Sequence, residues 1–206
     1  MPLIPFTQVS AVGVPLDKTN VDTDQLIPAR FLKYPRDENN ADRLFHDLRR
    51  QPDGTDDPDF VLNKEPYKSQ GQILVADRNF GCGSSRESAV YVLQDWGFRA
   101  VIAPSFGDIF HNNCFKNGML PIRLSADVCA KIRADLTADP GAAITIDLED
   151  QTVTAPDGTV HRFEIDDFNK YCLIRGLDDI DFTLEHTADI DRFERDNRPT
   201  WLGHNA

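Results

Sequence analysis

The sequence QILVADRNFGCGSSRESAVYVLQDWGFRAVIAPS at residues 72–105 contains the clearest structural signals of the chain. It opens and closes with apolar runs of strand length, at 72–77 and 99–105. Between these runs, apolar side chains recur at helical spacing, namely Ala89, Val92, Leu93 and Trp96. The pattern predicts a strand, a helix and a second, parallel strand, joined in a right-handed βαβ unit.

The ends of this helix carry their own signals. Ser84 is followed three residues later by Glu87, a capping-box pattern, so we expect Ser84 to cap the helix. Gly97 stands where a left-handed residue commonly ends a helix. A strand that reaches a helix through glycines leaves unpaired N–H groups at the positive end of the helix dipole, which favours an anion.

The residues at this junction suit a small carboxylate. Gly81 and Gly83 allow tight turns and close approach of a ligand. Ser84 and Ser85 offer hydroxyl groups, and Arg86 can form a two-pronged contact with a carboxylate. A dinucleotide fits less well, because Arg86 replaces the third glycine of G-x-G-x-x-G, and no G-x-S-x-G elbow occurs. The alternative is that Ser84 only caps the helix and Arg86 is a solvated surface charge.

The alternation of strands and helices continues towards the C-terminus. The patterns predict a helix at 106–117, a strand at 119–124, a helix capped by Ser125, and an antiparallel hairpin of residues 143–150 and 159–165 around the turn at 156–158. We expect a helical tail at 166–206, with two amphipathic helices broken near Gly176. The fold class is therefore α/β, with a mainly parallel sheet, an added hairpin and a C-terminal helical extension.

Residues 28–70 differ from the rest of the chain. They are rich in charge, Asn and Pro, with a short helical patch at 44–48. We expect this insert to supply little core material and to be mobile until a partner or ligand orders it.

Composition limits the possible functions. The 206 residues are 40% hydrophobic, which suits one domain over 1–206. The net charge is −12, so nucleic acid is not an expected partner. The N-terminus lacks the pattern of a signal peptide and no long apolar run occurs, so we expect a cytoplasmic protein with no membrane contact.

The cysteines do not form a recognisable metal motif. They are widely spaced without a Cys-x-x-Cys pair, at Cys82, Cys114, Cys129 and Cys172. We therefore expect free, mostly buried thiols and no zinc or iron–sulfur site on this chain. His111 and Cys114 can share a helix face, but too few ligands accompany them, so core packing is their expected role.

Three motifs together resemble one family. They are FGCGSSRE at 80–87 (the serine motif), VDTDQLIPARFL at 21–32 (the Asp-Thr-Asp motif) and SFGDIFHNNCFKNGMLP at 105–121 (the Asn-Asn motif). Taken in their order along the chain, they resemble the small-subunit family of 3-isopropylmalate dehydratase, which corresponds to the swivelling domain of aconitase. The resemblance runs from about residue 6 to residue 202.

The resemblance implies a hydro-lyase that isomerises 2-isopropylmalate and 3-isopropylmalate in leucine biosynthesis. A separate large subunit would complete the heterodimer and carry a four-iron four-sulfur cluster. By motif position, Ser84 resembles the catalytic base, while Gly83, Ser85 and Arg86 resemble contacts to the dicarboxylate substrate. Arg30 is a candidate second carboxylate clamp, with a plain surface arginine as the alternative.

Other residues would determine which substrate fits or would hold the site in shape. The family resemblance makes the loop after the Asp-Thr-Asp motif the specificity loop, formed here by Phe31, Leu32, Lys33 and Tyr34. Its first two side chains suit an isopropyl group, whereas Lys33 would suit a carboxylate. Turn and cap chemistry is the favoured role for Asp22, Thr23 and Asp24, with ligand contact as the alternative.

One residue departs from the family pattern. Ser88 stands where the family commonly has His, which leaves open a homoaconitase or a methylmalate-type hydro-lyase. A noncatalytic anion-binding module is the alternative from another functional class.

Overall fold

The computed structural model describes residues 3–197. Within this range, one sheet has the strand order β4-β3-β2-β1-β5-β6-β7. The strands are β1 Gln8–Pro15, β2 Gly71–Val75, β3 Ala100–Ala103, β4 Leu120–Arg123, β5 Ala143–Asp147, β6 Thr152–Thr154 and β7 Val160–Arg162. Pairs among β1 to β4 are parallel, and the pairs β1–β5, β5–β6 and β6–β7 are antiparallel. The predicted α/β class with a mainly parallel core is confirmed.

Helices follow each of the parallel strands β2, β3 and β4. In the described range they are α1 Thr23–Leu26, α2 His46–Arg49, α3 Tyr67–Gln70, α4 Ser88–Trp96, α5 Asp108–Lys116, α6 Ala126–Ala138, α7 Asp167–Arg175, α8 Asp179–Leu184 and α9 Thr187–Asp196. Short 3-10 turns occur at Ala29–Phe31, Ala41–Arg43 and Val61–Asn63. The predicted β2–α4–β3 unit is confirmed, because β2 and β3 pair in parallel. Gly97 ends α4 in the left-handed conformation, and the Ser125 hydroxyl caps α6.

Two apolar clusters line the two faces of the sheet. Leu74 and Val101 join one cluster, together with α4 residues such as Leu93. Ile73 and Ile102, their neighbours along the strands, join the other cluster with residues of α6. Because side chains alternate between the faces of a strand, the clusters lie on opposite sides of the sheet. Helix α4 therefore rests on one face of the sheet.

The sequence patterns missed two strands. β1 lies between β2 and β5, near the middle of the sheet, although Ser10, Gly13 and Pro15 interrupt its apolar pattern. β6 is only three residues long and pairs with both β5 and β7. The hairpin predicted between residues 143–150 and 159–165 is therefore wrong in its pairing, because β6 lies between β5 and β7. The turn at 156–158 joins β6 to β7, and the three strands form an antiparallel unit.

The insert at 28–70 supplies more core than expected. Its buried apolar side chains are Leu44, Phe45, Phe60, Leu62 and Tyr67. Arg49 is only 2% exposed, donates to the carbonyl and carboxylate of Asp42, and lies 4.9 Å from the Trp96 ring centre. The prediction of little core material is therefore wrong. Mobility of the insert in the free chain stays a prediction, and its exposed residues 32–39 leave room for it.

The C-terminal extension contains three described helices instead of two. Gly176 ends α7 with φ +67°, which confirms the predicted break. The following segment divides again into α8 and α9. Residues 198–206, the end of the predicted tail, lie outside the described residues. No helix within 3–197 is long and apolar enough to span a membrane.

Candidate functional site

Backbone hydrogen bonds bring the three motifs together. The serine motif lies between the other two and bonds to both. On one side, the N–H of Gly81 donates to the carbonyl of Val21 over 2.7 Å, and Thr23 donates to Cys82 over 2.9 Å. On the other side, Phe80 donates to Ser105 over 3.0 Å and Gly107 to Phe80 over 2.9 Å. Segments that lie far apart in the sequence therefore form one continuous surface at the ends of β1, β2 and β3.

Two glycines permit this close approach. Gly81 has φ +70°, and a Cβ atom there would lie 2.2 Å from Cγ of Phe110. A Cβ atom on Gly107 would lie 2.6 Å from the carbonyl oxygen of Gly81. Gly83 also has positive φ, at +94°, but it has ordinary contacts with the Asp-Thr-Asp motif. Gly81 and Gly107 are thus required by packing, and Gly83 by its backbone conformation.

Ser84 does not cap α4, so the capping-box prediction is wrong. Helix α4 begins at Ser88, and its N-cap residue is Glu87, which makes no side-chain cap bond. The carbonyl of Ser84 instead accepts a hydrogen bond from the Thr23 hydroxyl over 3.1 Å. The side chains of Ser84 and Ser85 remain exposed. The alternative in which Ser84 serves only as a helix cap is therefore ruled out.

The backbone ahead of α4 offers several donors to a ligand. Within residues 3–197, the N–H groups of Ser84, Ser85, Arg86 and Glu87 donate to no protein acceptor. Unpaired N–H groups at the start of a helix form a partially positive surface. This geometry suits a small anion beside the two exposed hydroxyls.

Arg86 is held by a carboxylate and is not a solvated charge. Its guanidinium donates to Asp24, and its side chain is 16% exposed. The hydrogen bond from Arg86 lowers the pKa of the Asp24 carboxyl below its usual value, and the N–H of Ala29 contributes to the same shift. The Arg86–Asp24 pair therefore links the serine motif to the Asp-Thr-Asp motif.

The other residues of the Asp-Thr-Asp motif have structural contacts. Asp22 caps α1, because its carboxylate accepts from the N–H of Gln25 over 2.7 Å. Thr23 is buried and bonds to the serine motif. The predicted cap role of Asp22 is confirmed, and Thr23 supports the position of Ser84.

Arg30 lies on the 3-10 turn that precedes the specificity loop. Its guanidinium donates to the Asp47 carboxylate over 2.7 Å and stacks on the Phe31 ring at 4.6 Å. The hydrogen bond from Arg30 lowers the pKa of Asp47 to about 2. A substrate carboxylate at Arg30 would therefore have to compete with Asp47.

The specificity loop presents both apolar and cationic groups. Phe31 is half-buried and packs against the His46 ring, with 4.9 Å between ring centres. Leu32 and Tyr34 are exposed, at 41% and 50%. The Lys33 ammonium lies 5.1 Å from the centre of the Tyr34 ring. Leu32 is thus the apolar side chain of this loop most open to a ligand.

The thiols and His111 belong mainly to the packing. Three cysteines are buried, and Cys82 is half-buried, so the prediction of free, mostly buried thiols is confirmed. Burial raises the pKa of Cys114 well above its usual value. His111 packs between the rings of Phe106 and Phe115, and burial lowers its pKa. The described residues contain no group of three or more His, Cys, Asp or Glu side chains placed to hold a metal ion.

Comparison with known proteins identifies the family. The model described as Aconitase C-terminal domain matches residues 4–127, and LeuD_N matches residues 130–167. The 3-isopropylmalate dehydratase small subunit of Rhodopseudomonas palustris is 52% identical over 189 residues, covering 92% of this chain and 94% of that protein. This chain belongs to the small-subunit family of 3-isopropylmalate dehydratase.

Further relatives agree with this assignment. The 3-isopropylmalate dehydratase small subunit of Granulibacter bethesdensis is 51% identical over 195 residues, which cover 95% of this chain and 93% of that protein. The crystal structure of 3-isopropylmalate dehydratase (leuD) from Methanocaldococcus jannaschii superposes with a TM-score of 0.66. It is 24% identical and covers 90% of this chain and 98% of that chain, so it supports the fold alone. Membership of a small-subunit family implies a large-subunit partner.

Sequence reasoning missed one contact within the family motifs. Asn117 of the Asn-Asn motif donates to the Glu87 carboxylate over 3.1 Å, at the end of the serine motif. The same Asn117 side chain donates to the carbonyl of Asn113 over 2.9 Å. Both ends of the pair lie in motifs recognised from the sequence, but no local pattern shows that the motifs meet there.

Proposed function

We propose that this chain is the small subunit of a 3-isopropylmalate dehydratase and interconverts 2-isopropylmalate and 3-isopropylmalate together with a large subunit. The reaction would proceed by loss and return of water, in leucine biosynthesis. The observation that carries the proposal is the meeting of the three family motifs around the exposed Ser84 hydroxyl. Sequence identity of 49–52% to proteins named as 3-isopropylmalate dehydratase small subunits supports it.

Ser84 is the group that we assign as base. It would remove a proton from the carbon next to the departing hydroxyl, and its alkoxide needs nearby positive charge. Free N–H groups at residues 84–87 and the Arg86 guanidinium provide positive surface close to it. Ser85, Gly83 and Arg86 are the proposed contacts to the substrate carboxylates.

Arg86 must accommodate both Asp24 and the substrate. A guanidinium has five N–H donors, so one carboxylate need not exclude another. Asp24 is more than half exposed, whereas Arg86 is mostly buried. We therefore infer that the Asp24 side chain moves away from Arg86 when substrate binds, whereas Arg86 keeps its position.

We place the four-iron four-sulfur cluster on the large subunit, because the described residues of this chain show no suitable ligand set. When bound there, the cluster supplies a Lewis acid for the substrate hydroxyl. The cytoplasm is the compartment that we propose for the complex, since free thiols persist in a reducing environment.

A second candidate substrate has specific support. Lys33 is exposed in the specificity loop and would suit a carboxylate-bearing arm such as that of homoaconitate. A methylated malate is the other alternative, because Ser88 departs from the family pattern.

The test is a substrate panel with the reconstituted enzyme. The purified chain would be mixed with an anaerobically prepared large subunit and assayed with 2-isopropylmalate, 2-methylmalate and homoaconitate. We expect the highest kcat/KM for 2-isopropylmalate. A preference for either other substrate would replace the assignment, and turnover of none would favour a noncatalytic module.

A further inference from the structure

Residues 31–40, here called the selectivity segment, begin with the specificity loop and are held at both ends. At the first end, the Phe31 ring packs against the His46 ring, and the neighbouring Arg30 donates to the Asp47 carboxylate. At the far end, Asp95 on α4 accepts from Arg36 and Asn40. Exposed residues 32–39 lie between these two attachments.

Asp95 is the acceptor for both hydrogen-bond donors of the far attachment. Arg36 approaches it with Nε 2.9 Å from Oδ2 and 3.1 Å from Oδ1. The Asn40 amide donates to Oδ2 over 2.6 Å. The Arg36 guanidinium also stacks on the Tyr91 ring at 4.6 Å. Because Asp95 is 22% exposed and makes a two-pronged contact, the pair has the geometry of a defined attachment and not of a loose surface pair.

Arg43 gives the segment its internal shape. It is 8% exposed and donates to the Asp37 carboxylate at 2.8 and 3.0 Å. It also donates to the carbonyl of Pro35 and the side chain of Asn40, each over 3.0 Å. The segment is therefore folded on itself. Asn40 connects this internal network to α4, because its amide also donates to Asp95.

The attachment lies on the helix that follows the serine motif. Tyr91 and Asp95 lie four residues apart on one face of α4, and the N-cap residue Glu87 precedes Tyr91 by the same spacing. The Arg36 guanidinium lies over the Tyr91 ring. One helix face thus connects the motif that holds Ser84 to the far end of the selectivity segment.

We propose that Asp95 is a positioning residue that holds the selectivity segment against α4 through Arg36 and Asn40, and thereby sets which alkyl group the enzyme accepts. This inference rests on the proposed function. Asp95 lies outside the three motifs and would act only through the segment, so it would affect the fit of the alkyl group more than the chemical step. Removing the Asp95 carboxylate should make the selectivity segment, which would contact the isopropyl group, less rigid.

The first test measures selectivity in the reconstituted complex. We expect Asp95→Ala to lower the ratio of kcat/KM for 2-isopropylmalate over 2-methylmalate by about tenfold, since one methylene discriminates by about 10- to 200-fold. The loss should appear mainly in KM. Arg36→Ala should give the same change, and the double variant should add little to either single variant. Asp95→Glu, which keeps the charge, should restore part of the ratio.

A matched control uses an ion pair far from this segment. Asp157 accepts from Lys131 between β6 and β7, and Asp157→Ala should leave the ratio unchanged. A purely structural role for Asp95 predicts equal losses on both substrates, and that result would overturn the proposal. An unchanged ratio for Asp95→Ala would overturn it as well.

A second readout does not depend on turnover. Trypsin should cleave the isolated chain after Lys33 several-fold faster in Asp95→Ala than in the wild type, because loss of the attachment raises the population of locally opened states that a protease can bind. Equal cleavage rates would refute the attachment. If wild-type complex turned over neither alkylmalate, the proposed function would fail, while the cleavage rates would still report on the attachment alone.

Discussion

Replacing Ser84 with Ala should separate catalysis from folding. The side chain is exposed and its hydroxyl makes no hydrogen bond within residues 3–197. We expect the free energy of unfolding to change by less than about 0.5 kcal/mol, as is usual for surface substitutions. At about 2–4 °C per kcal/mol for a chain of this size, Tm should move by less than about 2 °C.

The same variant should lose most of its turnover. Removing a general base lowers kcat by roughly 10²- to 10⁴-fold. At about 1.4 kcal/mol per tenfold change in rate, this raises the activation barrier by about 3–5.5 kcal/mol. The expected effect on the barrier is thus several times larger than the effect on stability.

The assay compares Ser84→Ala with a true capping serine. The Ser125 hydroxyl accepts from the N–H of Val128 over 3.3 Å, so Ser125→Ala should cost about 0.5–2 kcal/mol of stability and leave kcat unchanged. Both variants would be measured by thermal denaturation and by steady-state kinetics with a fixed large subunit. Near-normal kcat for Ser84→Ala, or a Tm loss matching that of Ser125→Ala, would refute the assignment.

Three further predictions concern packing, binding and pH. Gly81→Ala should lose roughly 1–3 kcal/mol of stability in thermal denaturation, because of its positive φ and the Phe110 ring, whereas Gly54→Ala, with open space around it, should lose less. Arg86→Lys should raise KM more than it lowers kcat, because a point charge replaces a two-pronged contact. Asp47 has its pKa lowered to about 2, so its stabilisation is present above the unfolded pKa of about 3.9 and is lost as pH falls towards 2. Asp47→Asn should therefore flatten the dependence of Tm on pH in that acid range, and an unchanged slope would contradict this.

The parallel core was predictable because its signals are local. Strand-length apolar runs flank α4, and Gly97 marks the end of that helix. Strand β1 was not predicted, because Ser10 and Gly13 interrupt its apolar pattern. Its place in the sheet depends on partners far along the chain. The buried residues of the insert at 28–70 were not predicted for a related reason. Short 3-10 turns have no long apolar period, and a buried arginine such as Arg49 looks like a surface residue in a sequence.

The residues of the candidate site were predictable from motifs, but their arrangement was not. The capping box pointed to Ser84, yet the carbonyl of Ser84 bonds to Thr23, and the helix starts four residues later. Likewise, the Arg86 partner Asp24 lies about sixty residues away, and no spacing rule connects them. Side-chain pairing between distant segments depends on the folded backbone, which local patterns do not specify.

We propose that this chain completes a dehydratase whose cluster lies on another subunit. The most direct measurement titrates a fixed amount of anaerobically prepared large subunit with this chain and follows conversion of 2-isopropylmalate to 3-isopropylmalate by NMR. We predict no conversion by either component alone, and a rate that rises with added chain until it saturates. Absence of 3-isopropylmalate at every ratio, with both proteins folded and the cluster intact, would contradict the account.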